Sequence, residues 1–165
     1  RGLAAAACAT GGAVSGGGGG GPLTVLFDGG CSLCRHEVGF LRRRDAARGG
    51  GGLNFVDASS LEYDASAHGG VEYEAAMRQL HAFTPGGELV VGAEVNRRMY
   101  EAVGLGWVMA PTRWPLLEPV VEKAYALWAK HRFWATGRPE LAELVEIRRR
   151  KLAGEDRCAP SGECR

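Results

Sequence analysis

The chain has 165 residues, 45% hydrophobic and 24% charged, with five cysteines and a formal net charge of +1. That length suits one domain with tails and buries a core without disulfide staples; five cysteines are too few for a disulfide framework and point to redox or metal chemistry. With 20 Lys and Arg set against 19 Asp and Glu, no dedicated nucleic-acid binder is expected, and the basic runs Arg42–Arg44 and Arg148–Lys151 read as solvated helix faces.

Residues 1–22 contain one arginine and no acidic residue, and pass through Ala4–Ala7 into the run Gly16–Gly21. Such a segment buries too little surface to fold. It reads as the remnant of a transit peptide to the chloroplast, with a mitochondrion, or a flexible linker in a cytoplasmic protein, as alternatives. Glycine and alanine dominate it, and no other stretch supplies about 20 strongly apolar residues, so no integral membrane segment is expected.

Leu23–Phe27 is a short apolar run between Pro22 and the Gly29-Gly30 turn, which predicts a buried strand. Cys34, Val38 and Leu41 then recur at helical spacing, predicting an amphipathic helix that ends near Asp45, before the glycine loop 48–52. Leu53–Val56 supplies a second strand, and a right-handed crossover would join it to the first. After a polar loop, residues 71–78 predict a short helix; Leu80–Phe83 and Leu89–Val91 flank Thr84-Pro85-Gly86-Gly87 as a hairpin; residues 93–103 predict another helix. Leu116, Leu117, Val120, Val121, Ala124, Tyr125, Leu127 and Trp128 mark a helix with a broad apolar face that should pack on the domain. Trp128, Phe133 and Trp134 read as packing residues, with a membrane surface or partner as the alternative. Pro139–Leu152 predicts a charged helix that projects from the domain. The division is thus a leading segment, 1–22, a domain, 23–137, and a charged helix with a cysteine-containing tail, 138–165.

The chemistry concentrates where the first strand turns into the first helix, at Asp28-Gly29-Gly30-Cys31-Ser32-Leu33-Cys34. A cysteine at a helix N-terminus faces unpaired N–H groups and the positive end of the helix dipole, both of which favour the reactive thiolate. A two-residue spacer lets the second thiol reach the first. Cys31 is the expected nucleophile and Cys34 the resolving thiol. Arg35 either stabilises the thiolate or faces solvent; His36 is turned away and exposed. Asp28, at the carboxyl end of a strand, either relays a proton for the thiols or caps the following turn, and the two roles are compatible.

Phe27-Asp28-Gly29 leading into Cys31, Cys34 and Arg35, followed by Val38, Phe40, Leu41 and Arg42–Asp45, resembles the DCC family of thiol-disulfide oxidoreductases, named for its Asp-x-x-Cys-x-x-Cys motif. The resemblance continues through Leu53–Asp57, Pro85-Gly86-Gly87 and the segment with Tyr125, Ala126, Trp128, Ala129 and Arg132. It implies an α/β chain with a thioredoxin-like fold, to which the strand-helix-strand, hairpin and helix order conforms, with additional C-terminal helices. It also implies disulfide exchange without a bound cofactor, on a disulfide-containing protein or small molecule, with a thiol reductant as electron partner. One departure is visible: thioredoxins carry a cis-proline before the strand facing the cysteines, and here that approach is Ala76-Met77-Arg78-Gln79.

Cys158 and Cys164 form a second pair with a five-residue spacer, suited to an electron shuttle or a tail staple. The competing function is a zinc-binding structural module using Cys31, Cys34, Cys158 and Cys164, against which the long spacer counts. Val25–Gly29 also resembles the nucleophile strand of haloacid dehalogenase phosphatases, but the acid-base aspartate required two positions on is replaced by Gly30.

Overall fold

A computed structural model describes residues 21–154. β1 (Leu23–Phe27) leads into α1 (Ser32–Ala46) and β2 (Leu53–Asp57), and after a polar loop α2 (Tyr73–Arg78) leads into the hairpin β3 (His81–Phe83) and β4 (Leu89–Val91). Four further helices follow: α3 (Ala93–Ala102), α4 (Gly106–Met109), α5 (Glu118–Ala135) and α6 (Leu141–Ala153). The sheet order is β2-β1-β3-β4; β2 runs parallel to β1, β3 runs antiparallel to β1, and β4 pairs antiparallel with β3. This is the thioredoxin-like arrangement, and it explains why β1 is the most buried strand. As a central strand it is covered on both faces, so its sequence is continuous rather than alternating.

Alternate side chains of β1 serve opposite layers. Leu23 and Val25 pack with Leu41 of α1 and Val95, Met99 and Val103 at and beyond α3. Leu26 packs on the other face with Ala58, Val71, Ala76 and Met77. Leu26, Leu41, Val95 and Met77 are fully buried, and removing each such side chain from water contributes about 1.5–3 kcal/mol.

The accessory helices depart from expectation. The helix α4 and the 3-10 turn Ala110–Arg113 have no counterpart in the sequence pattern, and Thr112 of that turn binds Arg97. Buried on α3, Arg97 donates to the Thr112 hydroxyl and carbonyl and pairs with Glu94, Glu118 and Glu122, so this cation ties α3 to the start of α5. α5 packs through Ala129, Arg132 and Phe133, not through its whole apolar face: Trp128 is half exposed, and Leu127 and Trp134 are 61% and 86% exposed. Polar anchors do the fastening instead. The Tyr125 hydroxyl accepts the Leu80 N–H, and Arg132 donates to the Met77 carbonyl. α6 does not project: Leu144 is buried, Leu141 packs with the α2 cluster, and Arg148 binds the Ser60 and Tyr63 carbonyls under the Tyr73 ring. Arg148 is therefore a structural tie, whereas Arg42–Arg44 are exposed as expected. No cis peptide bond occurs among the described residues, including the approach to β3.

Candidate active site

The sheet's carboxyl edge is where β1 hands the chain to α1. Parallel pairing sets Phe27 opposite Asp57, so the two strand ends, and the carboxylates of Asp28 and Asp57, converge on one turn. The Asp57 carboxylate accepts from Gly29 N at 3.0 Å, Ser59 N at 2.8 Å and Ser59 Oγ at 2.6 Å. Asp28 Oδ1 accepts from Gly30 N at 3.0 Å and pairs with Arg138, which approaches after α5 has ended. The capping role of Asp28 is thus present. Its other oxygen, Oδ2, is buried without a partner.

The two glycines leave room for these side chains. A β-carbon on Gly29 would overlap the Asp57 carboxylate, and one on Gly30 would overlap the Arg138 guanidinium. Because three hydrogen bonds hold Asp57, it has nowhere to retreat. Gly29→Ala is expected to cost about 1–3 kcal/mol of stability in urea unfolding, whereas Gly86→Ala, whose methyl would meet only Thr84 Oγ1 at 3.8 Å, should be near neutral.

Cys31 is the N-cap of α1, with extended backbone (φ −85°, ψ 119°), and its sulfur accepts the Cys34 N–H at 3.3 Å. It occupies the place usually filled by the oxygen of Ser or Asp, where negative charge is favoured. Cys34, in the first turn, donates its S–H to Cys31 at a sulfur–sulfur distance of 2.6 Å. That hydrogen bond is the largest influence holding the Cys31 thiol at about 6, well below its ordinary value; burial opposes it, the Cys34 N–H assists, Asp28 opposes and Arg132 assists. Cys34 is pushed far up by the same hydrogen bond, then by burial and by the Cys31 charge. Both thiols are free. Cys31 is 1% exposed, so any substrate disulfide reaches it only through a local opening of its cover.

Arg35 lies outside this arrangement: it is exposed and donates to the Gly29 carbonyl at 2.9 Å, because α1 begins after Cys31 and the expected i to i+4 geometry does not arise. His36 is exposed. The cation acting on both thiols is Arg132 of α5, 2% exposed, which has no carboxylate partner among the described residues. Sequence reading gave Arg132, Arg138, Asp57 and Glu37 no role. Of these, Asp57 carried a usable signal, as an acid ending the strand parallel to β1. Glu37 is pushed up by burial and by the charge on Cys31. Cys158 and Cys164 lie outside the described residues, and among the described residues no group of three or more His, Cys, Asp or Glu side chains is placed to hold a metal.

The sequence pattern of the DCC1-like thiol-disulfide oxidoreductase family matches residues 25–138, from β1 to the arginine that pairs with Asp28. An uncharacterized chloroplastic protein of Arabidopsis thaliana is 36% identical over 143 residues, covering 87% of this chain and 65% of the relative. The chain therefore spans just under two thirds of that protein's length. No solved structure matches.

Proposed function

Because the chain belongs to the DCC1-like thiol-disulfide oxidoreductase family, we propose that it exchanges disulfides through Cys31 and Cys34. The Cys31 thiolate attacks one sulfur of a substrate disulfide; a Cys31–substrate S–S bond forms as the substrate bond breaks, and the other half leaves as a thiolate. Cys34 then attacks the Cys31 sulfur, releasing the second half as a thiolate and leaving a Cys31–Cys34 disulfide. Two electrons pass to the substrate, and a thiol reductant returns the pair to its starting state.

The observation that carries this reading is the Cys31 sulfur at the start of α1, accepting both the N–H and the S–H of Cys34. These contacts also order the steps. While Cys31 is charged, Cys34 keeps its proton; once Cys31 is in a mixed disulfide, the hydrogen bond and charge that raise the Cys34 thiol are gone, and it can ionise. Asp28 is assigned as the proton acceptor, supported by its buried, unpartnered Oδ2. Arg132 is assigned as the cation that supports the thiolate. The chloroplastic relative supports a chloroplast location for this chain too.

Two measurements test the reading. Alkylation of the reduced protein by iodoacetamide should rise with a midpoint near pH 6, the value held at Cys31, with modification mapped to that residue. In a glutathione series read by intact mass, the Cys31–Cys34 pair should show one reversible two-electron transition. Tight equimolar zinc with no reducible Cys31–Cys34 disulfide would overturn the proposal.

A further inference from the structure

Behind the dithiol, α1, α3 and α5 do not close on one another, and a cavity of about 430 Å³ lies between them and β1. Its volume falls in the range of small-molecule pockets, ~300–1,000 Å³. Val38, Met99 and Val121 give it an apolar wall, the rings of Tyr125 and Trp128 flank it, and Cys34 lines it from the dithiol side.

Two orphaned polar atoms belong to side chains lining this cavity. Arg132 is 2% exposed, and its Nε–H has no acceptor. Asn96 Oδ1, from α3, is buried without a donor. Buried polar atoms in folded proteins are nearly always paired, so the Arg132 Nε–H bordering an apolar space points to a missing acceptor, whereas Asn96 Oδ1 needs a donor and is not explained by the same oxygen. Arg132 has only donors, so it requires an acceptor. An anionic head would add negative charge beside the Cys31 thiolate and beside Glu37, which lines the same cavity and is pushed up by burial and then by the Cys31 charge. An uncharged oxygen satisfies the guanidinium without that repulsion.

We infer that the cavity is a binding site for an uncharged, largely apolar carbonyl compound, its oxygen on the Arg132 guanidinium and its body against the rings of Tyr125 and Trp128 and the Cys34 sulfur. The site shares Cys34 and Arg132 with the exchange centre, but binding there does not require the cysteines to turn over.

The test uses the full chain with Cys31→Ser and Cys34→Ser, so that exchange cannot contribute, and calorimetric titration with tetramethyl-1,4-benzoquinone, whose ring methyls block thiol addition. Saturable one-to-one binding is expected, weakened about tenfold or more when the oxygens are absent, as in 1,2,4,5-tetramethylbenzene, or when Arg132→Leu removes the donor. Ala124→Trp, at an exposed residue on the rim, should abolish binding by filling the entrance, and it decides the matter alone should Arg132→Leu fail to fold. Absence of saturable binding, equal affinity for the hydrocarbon, or unchanged binding in Ala124→Trp would each overturn the inference.

Discussion

Cys31→Ser should reduce disulfide exchange by at least roughly a thousandfold, because a serine hydroxyl stays protonated at neutral pH and cannot replace a thiolate. The fold should survive, since the hydroxyl oxygen can still accept the Cys34 N–H as an N-cap. Cys34→Ser should behave differently: Cys31 still attacks, nothing resolves the product, and the mixed disulfide accumulates in intact-mass spectra. Cys34→Ala, which removes that donor where serine would supply an O–H, should also move the Cys31 alkylation midpoint upward from about 6, because the Cys34 thiol hydrogen bond is the largest influence holding it there. Retained turnover in Cys31→Ser, or a mixed disulfide on Cys34 in the wild-type protein, would reverse the assigned roles.

A comparably large effect on stability is expected at Arg138. Its guanidinium pairs with Asp28, which is 2% exposed and has one oxygen already unpartnered. Arg138→Ala leaves a buried carboxylate without its counter-ion, at an expected cost of about 3 kcal/mol, the low end for a buried pair because Arg138 is itself partly exposed. Adding Asp28→Asn should recover much of that loss, a coupling that a double-mutant cycle in urea measures directly. The same substitutions carry a chemical readout. Asp28 disfavours the Cys31 thiolate, so Arg138→Ala should raise the pH of Cys31 alkylation and Asp28→Asn should lower it. If the two substitutions are additive in stability, and neither moves the alkylation profile, Arg138 does not neutralise Asp28.

The two experiments probe parts of the site that differ in how readable they are. Cys31, Cys34 and the capping of the turn by Asp28 are local facts: a buried strand, two glycines and a two-residue cysteine spacing place them within one turn of helix. The faces of α1 are equally legible, since Cys34, Val38 and Leu41 recur at helical spacing and are the buried residues of that helix. The order of elements along the chain follows from the alternation of apolar patterns and from the short hairpin around Pro85-Gly86-Gly87, whereas the pairing of β3 with β1 is read from the structure.

Pattern failed where a polar side chain took over the work of apolar packing. The apolar residues of α5 predicted a buried face, but Tyr125 and Arg132 anchor that helix, and its charge near the thiols has no periodic signature. Spacing left Arg35 either beside Cys31 or facing solvent; it is exposed and binds a turn carbonyl, because the helix begins one residue later than the first geometry requires. What the amino-acid sequence determined by itself was the dithiol, its turn and the layered α/β frame, all governed by neighbours a few residues apart. Only the tertiary structure decided which charges surround the thiols. Arg138 reaches Asp28 across 110 residues, and Arg132 reaches the Met77 carbonyl across 55. Electrostatics depends on distance in space, and chain folding sets that distance irrespective of separation along the sequence.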